Sequence, residues 1–370
     1  MFSIVKKVFI FLILLFFVYL IASLIIKRKL TQKKIEKYEQ LKKKELEKNE
    51  KDLQEGFTFN TQSGELDGLK IDDGSLIMVN ISPKKSNLPL REYYIKASYN
   101  TALTGHYINT DMVKYVLSRG CRFLDFEVYS IENIPYVSYS TDPTFSTQTE
   151  NTVLLTDILT TISQSGFMAP SPNPQDPLFI QFRIKTTNSD LYSQIAMSLE
   201  KNLGSRLYSG QVNGSTLLSD LLGKIIIIVD KSISPNYYKY SDCNDKKYNL
   251  KKYVNIESGS NNLRIFKYSN IIGQQTTPIF TNDDGITTTS NLNTQNTMKI
   301  VVPDIAYNII GIARNPSPFQ LITDYGVQIM AYRFYQVDKN LQAYEKIFSD
   351  NKCAFIPMAQ LLDYINSQSE

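Results

Sequence analysis

Histidine is almost absent from this chain: 370 residues carry one, His106. Serine triads, histidine-ligated zinc sites and paired-imidazole acid/base catalysis all need imidazoles that are not there. Cysteine is scarce too. Cys121, Cys243 and Cys353 are too few and too scattered for a disulfide framework or a thiolate zinc site. The chain also lacks the basic excess with which nucleic-acid binders neutralise phosphates, since 40 Lys and Arg stand against 36 Asp and Glu, a net of +4. No nucleic-acid partner is expected. The small excess is confined to one end: residues 1–52 hold 13 of the basic side chains and 6 of the acidic ones, so the remainder is slightly acidic. A hydrophobic content of 42% excludes disorder and suffices for one large domain or two small ones.

The long apolar run lies at the same end. From Val8 to Ile26 there are 19 residues without a charge, and at a helical rise of ~1.5 Å they reach about the thickness of a hydrocarbon core. This predicts a transmembrane helix over 8–26, with the lipid bilayer as a partner. A signal peptide would have a shorter apolar core, and Ile21-Ala22-Ser23 sits inside the run, not after it. Lys6 and Lys7 precede the run, whereas Lys27, Arg28, Lys29, Lys33 and Lys34 follow it closely. The positive-inside rule then makes this a single-pass membrane protein with its large C-terminal part on the cytoplasmic side. Residues 27–55 read as a charged helical stalk, because pairs such as Glu39/Lys43 and Glu47/Lys51 are spaced to meet on one helical face. Its apolar positions do not hold a heptad, which favours a single helix over a coiled coil. Lysines clustered beside a membrane attract anionic lipid at about 1 kcal/mol each.

Past Gly56 strands and helices alternate. Cys121–Tyr129 reads as a strand with Phe123, Asp125 and Glu127 on one face and Leu124, Phe126 and Val128 on the other. Leu155, Ile158, Leu159 and Ile162 have helical spacing, Pro177–Arg183 is the next strand, and a helix follows over 188–203. Lys224–Val229 is a continuous β-branched run of the kind buried on both faces of a parallel sheet. Repeated βα units imply a barrel or a doubly wound sheet, and periodicity does not choose between them. Residues 232–297 are rich in Asn, Ser, Thr and Asp and read as a linker ordered only around 263–268. Order is expected again from Met298, with a strand in 325–334, a helix near 341–348 and a closing stretch near 353–356.

Ile95-Lys-Ala-Ser-Tyr-Asn-Thr-Ala-Leu-Thr-Gly105, followed by Gly120-Cys-Arg-Phe-Leu-Asp-Phe-Glu127, resembles the opening of the X half of eukaryotic-type phosphoinositide-specific phospholipase C. There a Ser-His-Asn-Thr-Tyr-Leu-Thr-Gly element leads to Gly-Cys-Arg and a strand with two acidic residues one apart. Asn315-Pro-Ser-Pro-Phe319 and Tyr325-Gly-Val-Gln-Ile-Met-Ala-Tyr332 are similar to the Y half. The resemblance implies an α/β fold: a distorted (β/α)8 TIM-type barrel, with an X-like half at 90–231, an X/Y linker at 232–297, a Y-like half at 298–370, and its site at the C-terminal strand ends.

The same resemblance shows what is missing. The family's two acid/base histidines fall at Tyr99 and Tyr139, and a phenol near pKa ~10 is a poor base at pH 7. His106, six residues past Asn100 at an expected helix start, reads as a surface or capping residue. Asn100, Asp125 and Glu127 match three calcium ligands of the family, with the acidic identities exchanged. The fourth position, a Glu in the family, is Arg183. A guanidinium there repels a divalent cation and offers both carboxylates a bidentate partner, so an internal salt bridge is expected in place of the metal, with calcium held weakly if at all and no other cofactor. Phosphate contacts are expected from Lys185, Lys231 and Lys299. The resulting expectation is a membrane-anchored phospholipase-C-like barrel without catalysis, acting as a binding or structural module. Its rival is an active phosphodiesterase cleaving phosphatidylinositol-type lipids, with Lys185 lowering the pKa of Tyr99 or Tyr139.

Overall fold

The computed structural model describes residues 62–69, 77–140, 146–238, 248–272, 297–304 and 314–369. The chain divides into two compact units, Met1–Phe59 and Asn60–Glu370. The first lies wholly outside the described residues, and with it the expected membrane span at 8–26 and the stalk at 27–55; Cys243 also lies outside them. Among the described residues no helix is long and apolar enough to cross a membrane.

The second unit is a closed barrel. Eight strands pair in parallel: β1 (Tyr93–Ser98), β2 (Phe123–Ile131), β5 (Leu178–Lys185), β6 (Ile225–Asp230), β7 (Val254–Ser258), β8 (Leu263–Lys267), β9 (Met298–Val302) and β10 (Ile329–Tyr332), with β10 returning to β1. Two short antiparallel strands, β3 (Ile134–Ser138) and β4 (Val153–Leu154), extend from β2, and β11 (Phe355–Pro357) adds antiparallel to β1. The barrel strands read as apolar runs because both faces are covered: every residue of β1 and β6 is buried.

Helices cover the outside, as right-handed parallel crossovers require. Helix α1 spans Gln62–Leu69, α2 Thr110–Ser118, α3 Leu155–Ser165 and α4 Asp190–Leu203. They are followed by α5 (Tyr268–Ile272), α6 (Pro318–Thr323), α7 (Lys339–Asn351) and α8 (Met358–Ser369). Asn109 caps α2 by accepting from the Asp111 amide at 2.8 Å, and Asp338 caps α7 through the Leu341 amide at 2.8 Å. Helix α7 is pinned to the barrel by Tyr344. Its ring stacks on Tyr332 at 3.9 Å, and its hydroxyl accepts from the Ala97 amide at 2.6 Å. Beside it Lys96 and Arg119 both pair with the buried Glu345, so that neither buried cation is left without an anion.

One stretch differs from its sequence reading. Residues 232–297 contain β7 and β8, two of the eight barrel strands, so more than 263–268 is ordered there. Barrel strands of five residues with alternating polar positions, such as Val254-Asn-Ile-Glu-Ser258, carry too little apolar signal to stand out from Asn- and Ser-rich surroundings. The closing stretch at 353–356 likewise leads into a further helix, α8.

Candidate functional site

The C-terminal strand ends bring together side chains from β2, β5 and the turn after β1. Leaving β1, the chain turns at Asn100, whose φ of 45° lies in the left-handed region that Asn tolerates better than most residues. The turn is tied to β2, because the Asn100 amide donates to Asp125 Oδ2 at 3.0 Å and the Thr101 amide to the Asp125 carbonyl at 2.8 Å. In the β2–β5 register Asp125 lies opposite Gln181, and Glu127 opposite Arg183. With a period of two, Asp125, Glu127, Gln181 and Arg183 all share one face.

Arg183 occupies the point on which the others converge. Its Nε donates to Asp125 Oδ1 at 3.0 Å and its Nη2 to Asp125 Oδ2 at 2.7 Å, a bidentate pair. Nη1 pairs with Glu127 Oε1, and Nη2 also donates to Asn100 Oδ1. The guanidinium carbon lies 4.4 Å from the centroid of the Tyr99 ring, whose hydroxyl accepts from Nη1 at 3.2 Å. The side chain of Arg183 is 5% exposed and those of Asp125 and Glu127 are 0% and 2%, so these charges interact out of water.

The second oxygen of Glu127 is equally committed. Oε2 accepts from the Tyr129 hydroxyl at 2.6 Å and the Ser140 amide at 3.2 Å, and pairs with Lys185 Nζ at 3.0 Å. Gln181 Nε2 adds a bond of 3.1 Å to Asp125 Oδ1. Burial alone would push the Glu127 carboxyl up, but Arg183, Lys185 and the Tyr129 bond outweigh it and hold the carboxyl below its ordinary range. Arg183 is penalised by burial yet held firmly charged by Asp125 and Glu127.

Calcium prefers six to eight oxygens at about 2.3–2.6 Å. The side chains expected to supply them, Asn100, Asp125 and Glu127, each accept from Arg183, and the other Glu127 oxygen is taken by Tyr129, Ser140 and Lys185. The residues present therefore do not fit a calcium ion. No group of three or more metal-ligating side chains is found among the described residues.

The phenols are equally ill suited to proton transfer. Burial raises Tyr99 well above the ordinary tyrosine value despite the opposing effect of Arg183, and burial raises Tyr139 as well, helped by Glu127. Lys185 is not among the groups that act on either phenol. The Lys185 ammonium is spent on Glu127 and on the Ser140 carbonyl at 2.8 Å.

Of the three lysines expected to contact phosphate, Lys231 lies just past β6 and pairs with Glu257 at 2.7 Å. Lys299 is misplaced. It is the second residue of β9 and bonds the Tyr325 carbonyl at 2.6 Å, at the N-terminal strand ends opposite the site. Its neighbour in register on β8 is Arg264, likewise the second residue of its strand. His106 is outside the cluster too: its Nδ1 lies 2.5 Å from Glu65 of α1, and the helix it was expected to begin starts at Thr110.

Sequence reasoning assigned no role to Lys267 or Asp230. Asp230 ends β6 and is 1% exposed; Lys267 ends β8. Both interact electrostatically with Arg183 and with each other. The strand pattern of Leu263-Arg-Ile-Phe-Lys267 places Lys267 at a C-terminal strand end, a signal obscured by reading its surroundings as linker. A cavity of about 680 Å³ lies away from this cluster, between α1 and α2, lined by Gln62, Leu66, Asp111, Lys114 and Tyr115.

An eight-stranded parallel barrel with charged groups gathered at its C-terminal strand ends is the architecture of a large class of α/β barrel proteins. Within that class, residues 86–231 match the family profile described as phosphatidylinositol-specific phospholipase C, X domain. The fold resembles the crystal structures of PLC21 from L. pealei (TM-score 0.55, 16% identity) and from S. officinalis (0.54, 16%). The matches cover 80% and 82% of this chain but 41% and 42% of those, so the chain spans about two fifths of the length of these relatives. A calcium-dependent phosphoinositol-specific phospholipase C from a Gram-negative Pseudomonas is also similar, with a TM-score of 0.46, 12% identity, and coverage of 75% of this chain and 98% of that one. Among curated proteins no sequence matches this chain.

Proposed function

We propose that this protein is a phospholipase-C-like barrel that binds at a membrane without hydrolysing phosphodiesters. The observation that carries the reading is Arg183, whose guanidinium engages Asn100, Asp125 and Glu127 together and so stands where the resemblance calls for calcium. A fixed organic cation neutralises the two carboxylates but offers no exchangeable coordination sites, so it cannot polarise a phosphate as a metal does. With Tyr99 and Tyr139 at the histidine positions and both phenols raised, acid/base catalysis near neutral pH has no carrier there. The X-domain match supports a phosphoinositide-type headgroup as the ligand class.

The membrane reading rests on sequence: the apolar run Val8 to Ile26 inserts once, the barrel lies on the cytoplasmic side, and the lysines at 27–34 add affinity for anionic lipid. The test is release of water-soluble headgroup from phosphatidylinositol and its phosphorylated forms, run beside vesicle binding. Binding without release at every calcium concentration supports the reading. Release that is lost in Tyr99→Phe or Tyr139→Phe overturns it in favour of an active phosphodiesterase.

A further inference from the structure

Helix α1 meets the barrel at the loop that leaves β1. Between β1 and α2 that loop folds as a hairpin: Leu103 pairs antiparallel with Ile108, and the Asn109 amide donates to the Ala102 carbonyl at 2.8 Å. The base of the hairpin is in the site, because Tyr99 and Asn100 both accept from Arg183. Its tip closes through the Thr104 amide on the Tyr107 carbonyl at 2.9 Å and turns at Gly105, whose φ of 147° a side chain would strain.

Glu65 of α1 grips that tip. Oε2 accepts from the Thr104 hydroxyl at 2.8 Å and the His106 amide at 3.1 Å, and Oε1 lies 2.5 Å from His106 Nδ1. The Glu65 side chain is 12% exposed, so water competes little for these bonds. Gln62 Nε2 donates to the Ile108 carbonyl at 2.9 Å and the Tyr115 hydroxyl to the Leu69 carbonyl at 3.2 Å, which sets α1 alongside α2 with Leu66 buried. The tip is held from its other side as well. The Glu150 amide donates to the His106 carbonyl at 2.9 Å, and the Gln148 amide, in the same segment, donates to the Tyr139 carbonyl at 2.9 Å. The clasped tip therefore links α1 to both positions at which the resemblance calls for histidines.

We propose that α1 is a strap and Glu65 its positioning residue: clasping the hairpin tip holds Tyr99, Asn100 and Tyr139 in place, so that docking of α1 and binding at the mouth reinforce each other. The ligand in this proposal rests on the headgroup reading above; the strap rests on the contacts alone. Eight residues are too few for a stable isolated helix, since lengths below ~12–15 are marginal in water, so α1 is helical when docked and unfolds when released. Coupling of this kind is reciprocal, and a ligand that favours the ordered hairpin favours the docked strap by the same factor.

The test is hydrogen exchange on the full chain in detergent, comparing the wild type with Glu65→Ala and Glu65→Gln. The diagnostic amides are Thr101, Leu103 and Asn109, whose bonds run to β2 or within the hairpin. Loss of the carboxylate should speed their exchange roughly tenfold or more in Glu65→Ala, together with that of 63–69. Glu65→Gln should restore most of the protection, because one amide oxygen can accept both bonds that Oε2 accepts. Faster exchange confined to 63–69 and the His106 amide overturns the proposal, since α1 would then be packed on the barrel without setting the loop. Unchanged exchange throughout overturns it too. Should Glu65→Ala fail to fold, Thr104→Val, which deletes the hydroxyl that Oε2 accepts from, gives the same comparison.

Binding of myo-inositol 1-phosphate, followed by calorimetry on the same proteins, reads the coupling. Binding weakened several-fold in Glu65→Ala and recovered in Glu65→Gln, with exchange of 63–69 slowed by the probe in the wild type, supports the proposal. Equal binding by the wild type and Glu65→Ala overturns it. No binding by the wild type overturns the headgroup reading alone, and the exchange at Thr101, Leu103 and Asn109 still decides the strap.

Discussion

Replacing Arg183 by Gln removes the cation and leaves Asp125 and Glu127 side by side in the barrel. Both carboxylates are essentially unexposed, so solvent does not screen them. Lys185 still neutralises one oxygen of Glu127, but Asp125 then keeps only neutral donors, the Asn100 amide and Gln181. Breaking a buried pair by deleting one partner costs roughly 3–5 kcal/mol. That is a large share of a net stability of about 5–15 kcal/mol. At ~2–4 °C per kcal/mol, Tm should fall by roughly 6–20 °C. The loss should depend on pH with a definite sign. In the wild type the Glu127 carboxyl is held low, so its contribution is present above the unfolded-state pKa and lost as pH falls through the folded one. In the variant the carboxylates gain by protonation, so the gap between the two proteins should narrow on acidification from pH 7 to pH 4. Asp176, raised by burial to about 6, works in the opposite direction and stabilises the fold as pH falls, but it is common to both proteins and cancels in the difference. Urea unfolding at pH 7 and pH 4 reads both quantities. A loss below about 1 kcal/mol, the range of an exposed ion pair, or a gap independent of pH, would refute a buried, cation-filled site.

Other outcomes follow from the same geometry. Titration calorimetry should show no sub-millimolar calcium binding by the wild type, whereas Arg183→Glu, which exchanges the guanidinium for a third carboxylate, should gain calcium affinity and be stabilised by the ion. The triple change Tyr99→His, Tyr139→His and Arg183→Glu is expected to be the smallest set giving detectable headgroup release, with each single change giving almost none, because groups of one catalytic unit act non-additively. Glu345→Ala, which leaves Lys96 and Arg119 buried without their shared anion, should lower stability by roughly 3–5 kcal/mol in thermal or denaturant unfolding while leaving vesicle binding unchanged. Gly120→Ala should also destabilise, since its φ of 77° is strained for a side chain and a Cβ would lie 2.9 Å from Met78 Cε.

Where the sequence carried strong periodicity, it was legible. The runs around 121–129, 177–183 and 224–229 became β2, β5 and β6, each shifted by a residue or two, and the i,i+2 spacing of Asp125 and Glu127 put both carboxylates on the face where Arg183 meets them. The weaker half of the barrel was not legible in the same way. Strands β7 and β8 have five residues each and sit in Asn- and Ser-rich sequence, so polarity masked their alternation. Lys267 was overlooked with them. Lys299 shows the complementary failure: proximity to a motif in sequence does not say which end of a barrel a residue occupies, and an offset of a few residues along a strand decides it. The bond from the Ser140 amide to Glu127 could not be read at all, because it depends on how β3 folds back along β2.

Arg183 separates the stability of this barrel from any bound ion. A divalent cation held by acidic side chains ties folding to metal concentration through mass action, because the empty site leaves like charges facing one another. A guanidinium supplies its positive charge covalently, at the same strand position, and satisfies oxygens from β2 and the turn after β1 in one step. The arrangement is self-sufficient as packing and inert as Lewis acid chemistry. The charges left over at this end of the barrel are those not bonded to Arg183, among them Asp230 at the end of β6 and Lys267 at the end of β8.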